Sequence, residues 1–192
     1  MSADRLGYRT HWRLVLLAGA LIATLHITSF WAVYQVPVTE GNLRLVGVIS
    51  KLPAWLATLA IYVWVVWQAR RRDGVLPTFR GLYYVVLTTF LWSLLDGLNG
   101  VVFEYYVDPG HDLHVLEVSR SAIEQSVAQG EVNAEVAKGY LDGLDARIAA
   151  AKAGSPSLWQ LLLPDLSWNL MVSSIYGLVL GVLFRPVPGA GR

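Results

Sequence analysis

The stretch from Gly81 to Tyr106, GLYYVVLTTFLWSLLDGLNGVVFEYY, is apolar for long enough to cross a bilayer, yet it carries Asp96 and Asn99 inside it. A spanning helix needs about 20 residues. A carboxylate in hydrocarbon costs several kcal/mol unless it is paired, protonated or wetted. This one segment therefore demands a membrane around it and polar company from the rest of the chain.

Composition points the same way. With 55% hydrophobic and 15% charged residues among 192, the chain is too apolar for an ordinary soluble domain and is expected to be an integral membrane protein, with the lipid bilayer as its first partner. It has no cysteine, which excludes a disulfide framework, a thiolate nucleophile and a cysteine-ligated metal. The arginines sit at membrane edges without a basic domain around them, so no nucleic-acid binding is expected.

Four spans are predicted. Arg5, Arg9 and Arg13 precede an apolar run from Leu14 to Val36. A basic start and the triplet Ala18-Gly19-Ala20 also fit a signal peptide, but the triplet lies too early in the run for a cleavage site. After a polar turn over Pro37 to Arg44, a second span with Trp55, Trp64 and Trp67 extends to Ala69 and closes on Arg70, Arg71 and Arg72. Gly74 and Pro77 make the next loop tight, and the third span ends at the breaker Asp108-Pro109-Gly110. Ser155-Pro156 reads as an N-cap with proline at the first helical position, opening a fourth span that passes Pro164 and stops at Arg185-Pro186.

Between the third and fourth spans the pattern changes to polar, acidic and helical in period. Leu113, Leu116, Ile123 and Val127 share one helical face, and Val132, Val136, Tyr140, Leu144 and Ile148 another, with Gly130 between them. The expected fold is all-α: a four-transmembrane-helix bundle with an extracytoplasmic amphipathic helical hairpin. The corresponding units are residues 1–110, 111–157 and 158–192. Glu104 to Ser157 holds nine acids against Arg120, Lys138, Arg147 and Lys152, whereas the other inter-helix segments are arginine-rich. The positive-inside rule then places both termini in the cytoplasm of a bacterial inner membrane.

Counting up from each helix's cytoplasmic arginine at about 1.5 Å per residue gives a depth for every polar side chain. His26 lies roughly 20 Å up, Asp96 and Asn169 roughly 24 Å, Asn99 and Lys51 roughly 28 Å, and Asp165 roughly 30 Å. All four spans contribute to one layer. Asp96 and Asn99, and Asp165 and Asn169, share helical faces, so a single intramembrane polar site is geometrically possible. There Asp96 binds a proton or cation, His26 stays within hydrogen-bond reach, Asn99 and Asn169 orient it, and Lys51 pairs with Asp165 at the mouth. The blander alternative is that Pro53 and Pro164 mark the true starts of their spans. Lys51 and Asp165 are then interfacial, and His26 only bonds across helices.

Ser173, Gly177 and Gly181 form a small-residue ladder on the fourth span, and Gly19 with Ala23 a shorter one on the first; both allow close helix approach, within the bundle or between copies. His111 and His114 lack a third fixed ligand, so no metal site is expected. His26 is the only histidine inside a span, which disfavours haem; no cofactor is expected. Hydrolase triads, zinc-protease helices and phosphate-binding glycine loops are absent, and no enzyme is expected.

The segments PTFRGLYYVVLTTFLWSLLDGLNGVVFEYYVDP and SPSLWQLLLPDLSWNLMVSSIYGLVLGVLFRP, separated by an acidic helical insertion, resemble small bacterial four-pass membrane proteins catalogued as a domain of unknown function, DUF4199. The resemblance implies an inner-membrane protein and assigns no catalytic residue. The leading functional expectation is a non-enzymatic assembly module, as a homo-oligomer or an accessory subunit beside another membrane protein. The alternative is a small proton- or ion-coupled carrier using Asp96. A periplasmic sensor would need a cytoplasmic output, for which the cytoplasmic segments are too short.

Overall fold

The computed structural model describes residues 11–47, 51–73, 78–154 and 158–184. The arginines at 5, 9, 185 and 192, the Gly74 and Pro77 loop and the Ser155-Pro156 cap lie outside the described residues. The elements are α1 (Trp12–Tyr34), a short α2 (Leu43–Gly47), α3 (Leu52–Asp73), α4 (Thr78–Val102), α5 (His111–Ala128), α6 (Ala134–Ala153) and α7 (Leu158–Leu183). A π-helical turn, Phe103–Val107, continues α4.

Among the described residues, four helices are long and apolar enough to cross a membrane: Trp12–Tyr34, Leu52–Arg72, Phe79–Val107 and Leu162–Leu183. At most a third of each span is buried, and the exposed side chains there include Leu16, Leu17 and Leu21 on α1 and Ile175, Val179 and Val182 on α7. Water would not tolerate so large an apolar surface, but lipid does. The chain is a multi-pass membrane protein.

Inside the bundle the packed core occupies one half. Leu14, Val15, Ala18 and Ile22 from α1 meet Tyr62, Val65, Val66 and Ala69 from α3 and Tyr84, Val85 and Trp92 from α4. Each set recurs at three- and four-residue spacing, which puts it on one helical face. Arg13, Arg70, Arg71, Arg72 and Arg80 gather at this end, where Arg71 lies 3.8 Å over the Trp67 ring and Arg80 5.9 Å from that of Tyr84. The three arginines in the last turn of α3 also complement its helix dipole.

Antiparallel α4 and α7 make the closest pair, and small residues explain why. A Cβ on Gly177 would stand 2.9 Å from the Leu82 Cα, and one on Gly81 3.0 Å from the Gly181 Cα. Higher up, Gly97 receives the Leu162 side chain. The Ser173, Gly177 and Gly181 ladder is thus used within the chain, and Gly19 likewise faces Leu91 while Ala23 is buried.

The fourth span runs through Pro164 as expected, with the proline inside α7, and the alternative in which Pro164 starts that helix does not hold. One element differs from the sequence expectation. In α6, Val136 and Tyr140 point outward, 59% and 68% exposed, whereas Ala137 is buried. The small side chain lets α6 approach α5. Salt bridges from Lys152 to Glu117 (2.9 Å) and from Arg120 to Asp145 (2.6 Å) then hold the two helices side by side. The intervening turn uses Gly130 at φ 74°, a left-handed conformation suited to glycine, and Asn133 caps α6 by accepting from the Glu135 N–H.

Candidate functional site

Above the packed half, α1, α3, α4 and α7 separate around a cavity of about 230 Å³. Its polar lining is His26, Ser29, Lys51, Asp96, Asp165 and Asn169. Phe30, Trp55, Trp92 and Trp168 supply aromatic walls. The spacing explains the convergence: residues 26, 29, 30 and 33 of α1, 92 and 96 of α4, and 165, 168 and 169 of α7 each fall on one stripe at helical period. A water's share of liquid is roughly 30 Å³, so the space is large enough for several waters or one small solute.

The histidine is fixed by two hydrogen bonds in series. Thr58 donates its hydroxyl proton to the Ala54 carbonyl at 2.8 Å, so it accepts from His26 Nε2 at 3.0 Å. That order assigns the proton to Nε2 and leaves Nδ1 as an acceptor. The imidazole also stacks on Trp92, with ring centres 4.6 Å apart, and meets Trp55 edge-on at 5.6 Å.

Trp92 forms the floor. Its indole N–H donates to the Tyr62 hydroxyl at 2.9 Å; Tyr62 donates to Thr89 Oγ1 at 2.5 Å, and Thr89 to the Val85 carbonyl at 2.8 Å. Both chains of hydrogen bonds end on backbone carbonyls, which cannot pass a proton on. Beneath the floor a space of about 10 Å³ lies between Thr58, Tyr62 and Ser173, and the packed core of Tyr62, Val65, Val66, Ala69, Tyr84 and Val85 separates the cavity from the arginine end. The cavity is therefore closed toward the arginine end. Lys51, Asp165 and Trp168 at its other end are exposed.

Five of the six sequence candidates, His26, Lys51, Asp96, Asp165 and Asn169, line this one cavity. Asn99 does not. Its Oδ1 accepts from Trp31 Nε1 at 3.0 Å, which ties α1 to α4 above the site. Lys51 lies just before α3, at the helix entry. Among the described residues no ion pair shorter than 4.0 Å joins Lys51 to Asp96 or Asp165; all three face the shared space. The lining thus brings two carboxyl groups and one amine to the same space.

The aromatic walls were not anticipated from the sequence. Trp92 is four residues before Asp96 and Trp168 adjoins Asn169, so the helical spacing that grouped the polar residues also carried the tryptophans. A second aromatic cluster, separate from the cavity floor, surrounds the π-helical turn. There the Asp108 N–H bonds back to the Phe103 carbonyl at 3.0 Å, and Phe103 packs edge-to-face on Phe30, Tyr34 and His111. His111 Nδ1 lies 3.5 Å from Asp108. Among the described residues, no three His, Asp or Glu side chains converge as a metal-ligand set.

A family model described as a protein of unknown function, DUF4199, matches residues 15–186. No curated protein and no solved structure matches the chain.

Proposed function

The chain belongs to the DUF4199 family, and from that premise we propose that it is a non-enzymatic membrane protein that binds a small cation in the cavity between α1, α3, α4 and α7, as the binding step of a carrier. The observation that carries this reading is the meeting of Asp96, Asp165, His26 and Asn169 around one space that is closed on its arginine side. Intramembrane carboxylates are costly, and facing a polar cavity is the arrangement in which they serve ions or protons. The positive-inside rule supports a cytoplasmic arginine end, hence a cavity opening away from the cytoplasm of a bacterial inner membrane, with both termini inside.

Assembly with other copies or with another membrane protein is the second reading. It draws support from the exposed apolar side chains Val136 and Tyr140 on α6, with Val132 in the turn before it. The small-residue ladder supports it less, since α4 already covers Gly177 and Gly181.

Native mass spectrometry on protein extracted in mild detergent separates the two. A single copy carrying a small ligand, lost in Asp96→Asn, supports the cavity. Several copies, or a bound partner protein with nothing in the cavity, support assembly.

A further inference from the structure

The walls of the cavity narrow the class of cation. An inorganic cation calls for oxygens on most sides; sodium, potassium or calcium is held by carboxylates, carbonyls and water. Here the carboxylates Asp96 and Asp165 occupy only part of the lining, and Phe30, Trp55, Trp92 and Trp168 occupy much of the rest. The indoles of Trp55 and Trp92 stand perpendicular, with ring centres 6.4 Å apart, and the His26 imidazole contacts both. Aromatic surface combined with a carboxylate is the chemistry that recognises an alkylated ammonium, whose charge is spread over carbon-bound hydrogens and whose shell of water is easily removed. We infer that the cavity is an organic-ammonium site, with Asp96 as the counter-charge and the indoles of Trp55 and Trp168 as cation–π walls.

Lys51 has a part in this arrangement. Its side chain is itself an alkylammonium, tethered at the entry to α3 and lining the same cavity. It competes with a bound cation for the carboxylates from the mouth. Removing its charge therefore strengthens binding of a free ammonium, the opposite of what a merely structural lysine would do.

The inference rests on the cavity reading above, and its test keeps the two apart. Radiolabelled tetramethylammonium is measured by equilibrium dialysis against the full chain in maltoside detergent, which carries no ammonium of its own. One saturable site per chain is expected, weakened at least tenfold by Asp96→Asn, weakened about fivefold by Trp168→Leu and tightened by Lys51→Met. Trp168 is exposed, so its replacement leaves the fold intact. Nanodiscs with and without phosphatidylcholine identify the source: competition by that lipid means a headgroup, and its absence means a free solute. If sodium or uncharged tert-butanol displaces the label as well as unlabelled tetramethylammonium does, the organic-ammonium assignment fails while the cavity reading stands. If no labelled ion binds and sodium shifts nothing, both fail.

Discussion

His26 donates from Nε2 to Thr58 Oγ1 at 3.0 Å because Thr58 has already committed its own proton to the Ala54 carbonyl. One hydroxyl thus sets the tautomer of the only histidine in the cavity lining. Thr58→Val removes the acceptor while nearly conserving shape. The ring-nitrogen chemical shifts of His26 are expected to report a single Nε2–H form in the native protein and a mixture in the variant. A single unchanged form in Thr58→Val would contradict the hydrogen-bond order.

Beneath that pair, Tyr62 links α3 to α4 by accepting from Trp92 and donating to Thr89. Tyr62→Phe strands the buried indole N–H, at an expected cost of about 1–3 kcal/mol. Thr89→Val costs less, since Trp92 keeps its acceptor. Thermal unfolding in detergent should rank the two in that order.

Helix packing gives a paired test in one residue type. Gly177→Ala drives a Cβ to 2.9 Å from the Leu82 backbone, which cannot yield as a side chain can, so it should destabilise by about 1–3 kcal/mol. Gly100→Ala, also in a span, meets nothing within 4 Å and should be neutral or stabilising by up to about 1 kcal/mol. Equal effects at both positions, read as melting temperature, would contradict the α4 and α7 contact.

The contact between α5 and α6 is pH-dependent through Glu117. The hydrogen bond and charge of Lys152 hold its carboxyl below the ordinary value of 4.5. A depressed folded-state value means that the stabilisation is present above 4.5 and is lost as pH falls through the lower, folded value. Amide exchange in α6 should therefore accelerate on acidification below that range, and Lys152→Met should flatten the response around Glu117.

The four spans were legible because length and hydropathy decide them: a continuous apolar run of about 20 residues satisfies its backbone in hydrocarbon as a helix. Depth counting put His26, Asp96 and Asn169 at neighbouring heights, since rise per residue is fixed, and the three side chains line one cavity. Rotation was not legible. Asn99 lies three residues from Asp96, close enough to share its face by spacing, yet it turns to Trp31. In α6 the large apolar residues Val136 and Tyr140 suggested the buried face, but close approach to α5 selected Ala137. The π-helical turn after α4 has no signature in Phe103 to Val107 beyond the break that follows it.

Because the chain has no cysteine, water access to the polar cavity inside the membrane is directly measurable. Val33 lines the cavity, whereas Leu56, on α3 one residue beyond the cavity-lining Trp55, is exposed on the bundle surface. Val33→Cys and Leu56→Cys are each treated, in sealed vesicles of known orientation, with a membrane-impermeant thiol reagent added from either side. The account predicts labelling of the cysteine at 33 from the α5 and α6 side only, and none at 56. A cysteine at 33 as inert as the one at 56, or labelled from the arginine side, would contradict it.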